Sequence, residues 1–303
     1  MSRSKNIRSA ALFVAFLVWI PSSVTSAQND PLRMKIEQIV AHANGTVGVA
    51  VLALENNDSL SVNGDVPFPM QSVYKFPVGL AVLDLVDKGV FALDQRIFIK
   101  KSDLLPKTWS PLREKYPNGD TAVALSEILK FTVAQSDNNG CDLLFRLVGG
   151  PEKVGNFIHS LGVKDIAVKN TEEEMGKDKQ LQFRNFSTPK ALAALFSLVH
   201  RGKALSVKNT QHIVRILEET STGPKRLKGQ LPAGTIVAHK TGSSGTDEQG
   251  ITAATNDGGV ITLPDGTHVA VVVFVSNSSA DEKERENVIS SIAKAVWDDY
   301  RSR

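Results

Sequence analysis

His268-Val269-Ala270-Val271-Val272-Val273-Phe274-Val275-Ser276 reads as a β-strand, apolar and β-branched through its core. The turn residues Pro264-Asp265-Gly266 precede it and Gly259–Leu263 precedes the turn, which makes the pair a hairpin. A further strand signal lies upstream at Thr235–Ala238. Downstream, Asp281–Tyr300 is acid-rich at its start and apolar at Val288, Ile292, Ala295 and Val296, a pattern suited to a terminal helix. The other end of the chain mirrors this arrangement. Leu32, Ile36, Ile39 and Val40 give Leu32–Ala43 a helical period that stops at Asn44-Gly45, and Thr46–Leu54 is a strand bounded by Glu55-Asn56-Asn57-Asp58. Between the two ends the pattern is mostly helical: Ser72–Lys88, Leu125–Val133, Asn138–Val148, Pro151–Leu161, Pro189–His200 with Thr188 as cap, and Ser206–Glu219. The economical architecture is an α/β fold of the α+β, two-domain kind. Residues 28–68 and 220–303 build an antiparallel sheet flanked by helices from both termini, an all-α domain is inserted over 69–219, and a site lies in the cleft between them.

Composition bounds the function. With 42% hydrophobic and 22% charged residues, the chain has enough apolar material for a sizeable core. The longest apolar run, Ala10–Ile20, is half the roughly 20 residues that a membrane-spanning helix needs. Arg3, Lys5 and Arg8 precede that run, and Thr25-Ser26-Ala27 ends the small-residue stretch after it. Residues 1–27 therefore read as a signal peptide cleaved before Gln28. No cysteine follows that position to carry a lipid anchor. Removing the leader's three cations from the 35 lysines and arginines leaves as many as the 32 acids, so no basic field argues for nucleic acid or an anionic membrane as partner. The single cysteine, Cys141, excludes an intramolecular disulfide and a cysteine-based zinc cage, and reads as helix packing.

Several chemistries lack their motifs. There is no Gly-x-Gly dinucleotide fingerprint, no Gly-Lys-[Ser/Thr] phosphate loop and no Gly-x-Ser-x-Gly elbow. The six histidines, at 42, 159, 200, 212, 239 and 268, form no His-x-His or His-Glu-x-x-His, so a metallohydrolase is not indicated. Lysine is the remaining activator for a serine. In Ser72-Val73-Tyr74-Lys75 the two polar side chains share one face of a helix, with Ser72 at its positive end. Ser2–Lys5, Ser187–Lys190 and Ser291–Lys294 have the same spacing, but only Lys75 sits among apolar neighbours, where a solitary ammonium is costly unless partnered. Two more short motifs each occur once: Ser136-Asp137-Asn138 at a helix start, and Lys240-Thr241-Gly242 at the end of the Thr235–Ala238 strand.

Together, in this order, the three motifs resemble the active-site set of the penicillin-recognising serine enzymes. Their separations from Ser72, 64 and 168 residues, are those of the class A β-lactamases. The neighbourhoods Phe68-Pro69-Met70-Gln71-Ser72-Val73, Leu105–Pro111, Thr222–Gly229 and Ala253-Ala254-Thr255-Asn256-Asp257 are similar to those of the PER/VEB-like extended-spectrum subgroup.

The resemblance implies two acyl transfers. Ser72 attacks the lactam carbonyl, and water hydrolyses the resulting acyl-enzyme. It implies Lys75 as activator or proton relay and the backbone N–H groups of Ser72 and Ser243 as oxyanion hole. Ser136 becomes the proton donor to the leaving nitrogen, Asn138 orients the substrate amide, and Trp109 walls the cleft. The substrate carboxylate falls to Lys240, Thr241, Ser243 and Arg226. Arg226 substitutes for an arginine that residues 243–260 lack, and a guanidinium suits bidentate carboxylate binding. Asn170-Thr171-Glu172-Glu173-Glu174-Met175-Gly176 falls where the omega loop should lie, with Glu172 as the base for deacylation and Glu173 in reserve. Gly176 stands where an asparagine is common and Asn170 where an arginine usually braces the loop. A looser, roomier loop that admits oxyimino-cephalosporins is the expectation. No metal or cofactor is implied. The expected ligands are β-lactam substrates and inhibitors, the location periplasmic and the state monomeric. The rival readings are a cell-wall DD-peptidase, which lacks that base, and a non-hydrolytic penicillin-binding sensor.

Overall fold

The computed structural model describes residues 30–303; the expected signal peptide lies outside the described residues. In chain order the first elements are α1 (Pro31–Val40), β1 (Thr46–Ala53), β2 (Ser59–Val62), β3 (Phe68–Pro69), α2 (Lys75–Asp87), β4 (Arg96–Ile99), α3 (Pro111–Lys115), β5 (Thr121–Ala124), α4 (Leu125–Ala134) and α5 (Asn138–Val148). Then come α6 (Pro151–Ser160), β6 (Ile166–Ala167), α7 (Glu172–Lys177), β7 (Phe186–Ser187), α8 (Pro189–His200), α9 (Val207–Glu218), β8 (Val237–Ser243), β9 (Thr255–Thr262), β10 (His268–Ser276) and α10 (Glu282–Tyr300).

β10 is the central strand of an antiparallel sheet ordered β2-β1-β10-β9-β8. Because successive side chains point to opposite faces, its apolar run feeds two cores at once. Val269, Val271, Val273 and Val275 pack with Ile289, Ile292, Val296 and Trp297 of α10, and with Leu32 and Ile36 of α1. Ala270, Val272 and Phe274 face the other way, toward Leu192 and Phe196 of α8 and the core shared by the middle helices. α8 therefore lies on the sheet, although its sequence groups it with the helical middle. Residues Pro31–Arg303 pack as one compact unit.

Helix signals with explicit caps match closely. Asp137 caps α5 by accepting from Gly140 N–H, Thr188 caps α8 through Ala191 N–H, Ser206 caps α9 and Asp281 caps α10. Three expectations near the site need correction. The strand expected at Thr235–Ala238 is instead β8, Val237–Ser243, so Lys240-Thr241-Gly242 lies inside a strand and not at its end. Polar side chains hide it, but His239, Lys240 and Thr241 are buried and the backbone pairs with β9 through Ser243. β9 likewise starts at Thr255, four residues before the expected Gly259, through the buried Asn256 and Asp257. Ser72 sits in a 3-10 turn, Gln71–Tyr74, and the α-helix begins only at Lys75. The two-stranded β4–β5 hairpin and the short β3-β7-β6 sheet have no counterpart in the sequence reading.

Candidate active site

The turn that carries Ser72 is held against the edge of the main sheet. Asn256 on β9 donates from Nδ2 to the carbonyls of Pro69 (2.8 Å) and Met70 (3.2 Å). Gly242 on β8 makes the close approach possible, since a Cβ there would lie 2.4 Å from Met70 O and 3.1 Å from Val73 N. Gln71 adopts φ +49° at the start of this turn and bridges to Gln182 across the cleft. β8 is an edge strand, and its Ser244 N–H donates inward to Ala254 O at 2.9 Å. Backbone groups alternate along a strand, so the Ser243 N–H points outward, over the open edge and toward the Ser72 turn.

Lys75 is fully buried one helical turn after Ser72. Its Nζ lies 2.8 Å from Ser72 Oγ, 3.0 Å from the Ser136 carbonyl and 2.9 Å from Glu172 Oε1, and it also contacts Asn138 Oδ1. The three hydrogen bonds, to Ser72, Ser136 and Asn138, use the three protons of an ammonium, and Glu172 Oε1 faces it as an ion-pair partner without a hydrogen bond of its own. Lys75 thus lies between Ser72 and Glu172, close to both. On the far side of the cleft Lys240, also fully buried, approaches Ser136 Oγ at 3.0 Å. Burial, and after it the Lys75 charge, pushes the Lys240 ammonium well below the usual lysine range. An anion entering beside it restores the favoured charge. Ser136 itself is bent into φ +60°, held between helix α4 and the Asp137 cap. The Asp137 carboxylate also accepts from Ser110 Oγ and Leu112 N–H, which fixes the motif to α3.

Glu172 begins α7, where Thr171 and Glu174 form a reciprocal capping box. Asp142 on α5 takes the N–H groups of Glu172 and Glu173 with its two oxygens, both at 2.8 Å. Burial pushes this carboxyl up to about 6, further raised by the neighbouring Glu172 and held back by the N–H bonds. Asn185 accepts from Lys169 N–H (2.7 Å) and Asn170 N–H (2.9 Å) and donates to Asn170 O (2.8 Å). Where an arginine is absent, Asp142 and Asn185 hold the loop's start. Gly176 is exposed, and a Cβ there would meet nothing within 4 Å. Gly176, Gln71, Asn138, Glu172 and Ser243 all line one cleft of about 380 Å³.

Two expected binding residues differ in detail. Arg226 is buried and reaches the site, with Nη2 donating to Ser243 Oγ at 2.8 Å. Its Nη1 donates to Gly242 O and Asn256 O, and its Nε to Glu286, so the fork cannot clamp a carboxylate bidentately. Arg226 therefore reaches the cleft through Ser243. Trp109 is 57% exposed and its indole N–H is tied to Gln135 O; Thr108 lines the cleft in its place and accepts from Asn138 Nδ2.

A family model described as the β-lactamase enzyme family matches residues 31–300. β-Lactamase VEB-1 of Pseudomonas aeruginosa is 45% identical over 294 residues, covering 96% of this chain and 98% of that protein. The extended-spectrum β-lactamase PER-1 of the same organism is 40% identical over 281 residues, covering 93% and 91%. The crystal structure of a β-lactamase from Chitinophaga pinensis is similar with a TM-score of 0.88 at 53% identity, covering 89% of this chain and 100% of that one.

The chain belongs to the class A serine β-lactamases.

For this β-lactamase the DD-peptidase and sensor readings are set aside, and the fold is that of the family: a five-stranded antiparallel sheet packed by helices from both termini, plus a helical region. Among the described residues no helix is long and apolar enough to cross a membrane. Residues that the sequence reading missed are mostly polar and act at long range. Asn256, Asp142 and Asn185 each look like ordinary strand, helix or loop residues until their partners are placed. Tyr74 is another. Its hydroxyl is buried behind the site, where burial and then the Glu172 charge push it well above the usual tyrosine range. Cys141 packs beside it as a buried free thiol, likewise pushed up by burial.

Proposed function

We propose that this β-lactamase opens the lactam amide of penicillins and cephalosporins, oxyimino-cephalosporins included, through an acyl-enzyme on Ser72, and that Glu172 drives its hydrolysis. The observation that carries the reading is the Lys75 Nζ, within 2.9 Å of both the seryl oxygen and the glutamate. Lys75 hands one proton to Glu172 and takes the seryl proton in its place as Ser72 Oγ attacks the carbonyl carbon. The Ser72 and Ser243 N–H groups receive the developing oxyanion, each donor contributing about 2.7–4 kcal/mol in a comparable hydrolase. Ser136, beside Lys240, gives its proton to the lactam nitrogen as the C–N bond breaks. Lys75 reprotonates Ser136 and recovers its own proton from Glu172, which is again a carboxylate. Glu172 then takes a proton from water, the hydroxide attacks the ester carbonyl, and that proton returns to Ser72 as the ester bond breaks. Lys240, Thr241 and Ser243 receive the substrate carboxylate, with Arg226 behind Ser243, and Asn138 orients the side-chain amide.

Open space at Gly176 supports room for a bulky oxyimino group, and one relative carries an extended-spectrum name. Residues 1–27 serve as a signal peptide that delivers a monomer to the periplasm. Helical residues 69–219 and the sheet residues 28–68 and 220–303 form its two working parts. Steady-state hydrolysis of a chromogenic cephalosporin and of an oxyimino-cephalosporin, with Ser72→Ala as control, tests the proposal. Turnover of both by the parent and of neither by the variant is expected. Hydrolysis of the chromogenic substrate alone would overturn the oxyimino assignment.

A further inference from the structure

Far from the cleft, folding brings together three residues that are remote in sequence. Glu55 follows β1, His268 opens β10 and His200 ends α8. The β1–β10 pairing runs to Ala53 opposite Val269, and Leu54 N–H donates to His268 O at 2.9 Å, so the backbones of Glu55 and His268 are locked side by side. His268 Nδ1 lies 3.0 Å from Glu55 Oε1, and the His200 and His268 rings meet at 4.1 Å between centroids. One ligating atom from each of the three lies within 4.8 Å of the other two. Along β9, the pairing partner of His268 is Thr262 and that of Ser243 is Thr255, seven residues or about 23 Å apart. The cluster is thus separate from the catalytic residues.

We propose that Glu55, His200 and His268 form a binding site for a zinc-like divalent transition-metal ion, a structural clip between α8 and the sheet and not part of the hydrolytic machinery. Two imidazoles and one carboxylate are the donor set that such ions select over magnesium or calcium. Tetrahedral bonds of about 2.0–2.1 Å place ligand atoms about 3.3 Å apart, so small side-chain rotations close the site. Both histidines are half-buried and Glu55 is exposed, which leaves an open side for a water ligand. The histidines also border a hollow of about 180 Å³ walled by Phe196, Val199 and Ile236, an apolar backing that strengthens charge–dipole bonding to the ion.

The charges around the cluster favour a cation. Glu55 carries the nearest negative charge: burial disfavours its ionised form, but the His268 backbone and side-chain hydrogen bonds outweigh this and keep its carboxyl below the ordinary value. Arg201, the adjacent cation, is tied to Leu54 O and Asn57 Oδ1 beside the cluster, and Asp265 adds a negative charge near His268.

The test titrates the full protein, prepared without a polyhistidine tag, with zinc by calorimetry near neutral pH, and with cobalt while the visible spectrum is recorded. One ion per chain with micromolar affinity, a cobalt band of low-symmetry nitrogen–oxygen ligation and a melting temperature raised by several degrees are expected. His200→Ala and His268→Asn should each weaken binding tenfold or more, while His42→Gln leaves it intact. Hydrolysis rates of the parent should be the same with zinc or with EDTA. No saturable binding at millimolar zinc, or binding indifferent to the His200 and His268 variants, would overturn the proposal.

Discussion

Replacing Gly242 by alanine probes how closely the sheet edge and the nucleophile turn must meet. The added Cβ would lie 2.4 Å from Met70 O, about 0.9 Å short of the 3.3 Å at which carbon and carbonyl oxygen ordinarily touch. Val73 N and Gln71 Cβ, both at 3.1 Å, block the sideways escape. The turn therefore has to retreat by most of an ångström, and it is tied to Asn256 through Pro69 and Met70, so the strain spreads along the edge. A displacement of about 1 Å costs on the order of 10²-fold in a positioned reaction, and loss of one oxyanion donor costs 10²–10³-fold. Overpacking of this kind destabilises by about 1–3 kcal/mol, a melting shift of only several degrees in a chain of this size. Gly242→Ala is accordingly expected to remain folded, with kcat/KM for a chromogenic cephalosporin reduced about 10²–10³-fold. Circular dichroism melting alongside stopped-flow acylation separates the two effects. Gly155→Ala, where the nearest contact is an ordinary 3.8 Å, serves as a control and leaves the rate unchanged. A folded Gly242→Ala variant that acylates within fivefold of the parent would refute the reasoning.

Two further outcomes follow from the same geometry. Asp142, raised by burial to about 6 from 3.8, favours its protonated form in the fold; its contribution to stability is complete below about pH 4 and is lost as pH rises through 6, about 3 kcal/mol by neutrality. Asp142→Asn should thus gain stability relative to the parent between about pH 5 and pH 7.5 in thermal melts, and a difference that stays flat or reverses would contradict the assigned cause. Arg226→Ala strands the buried Gly242 and Asn256 carbonyls and frees Ser243 Oγ. It should lower stability by about 3 kcal/mol and raise KM for carboxylate-bearing substrates more than it lowers kcat, whereas an unchanged KM would remove Arg226 from substrate binding.

What could be read in advance divides by the range of the interaction. α5 and α8 match residue for residue because a capping side chain opens each, Asp137 and Thr188, and β10 because seven apolar residues leave no other reading. Ser72, Lys75, Ser136, Asn138 and Lys240 are legible because each lies in a short motif that resembles a known set, while their meeting across the cleft is the work of the fold. β8 was cut short because its buried face is made of His239, Lys240 and Thr241, which look like a solvated end unless the partners across the cleft are known. The 3-10 turn at Ser72 is invisible in the same way, since the sheet edge and Asn256 impose it from outside. Arg226 was recognised by type, but only the fold shows its N–H groups taken by Gly242, Asn256 and Glu286. Glu55, His200 and His268 give no signal at all, since strand pairing and helix docking alone bring them together.

The central claim is that Glu172 hydrolyses the ester on Ser72, and the direct measurement is the lifetime of that ester in Glu172→Ala. Followed by mass spectrometry after mixing with a cephalosporin, the parent should show no lasting adduct, and the variant should hold the acyl group on Ser72 with deacylation slowed by about 10²–10⁴. A variant that clears its adduct as fast as the parent would contradict the account.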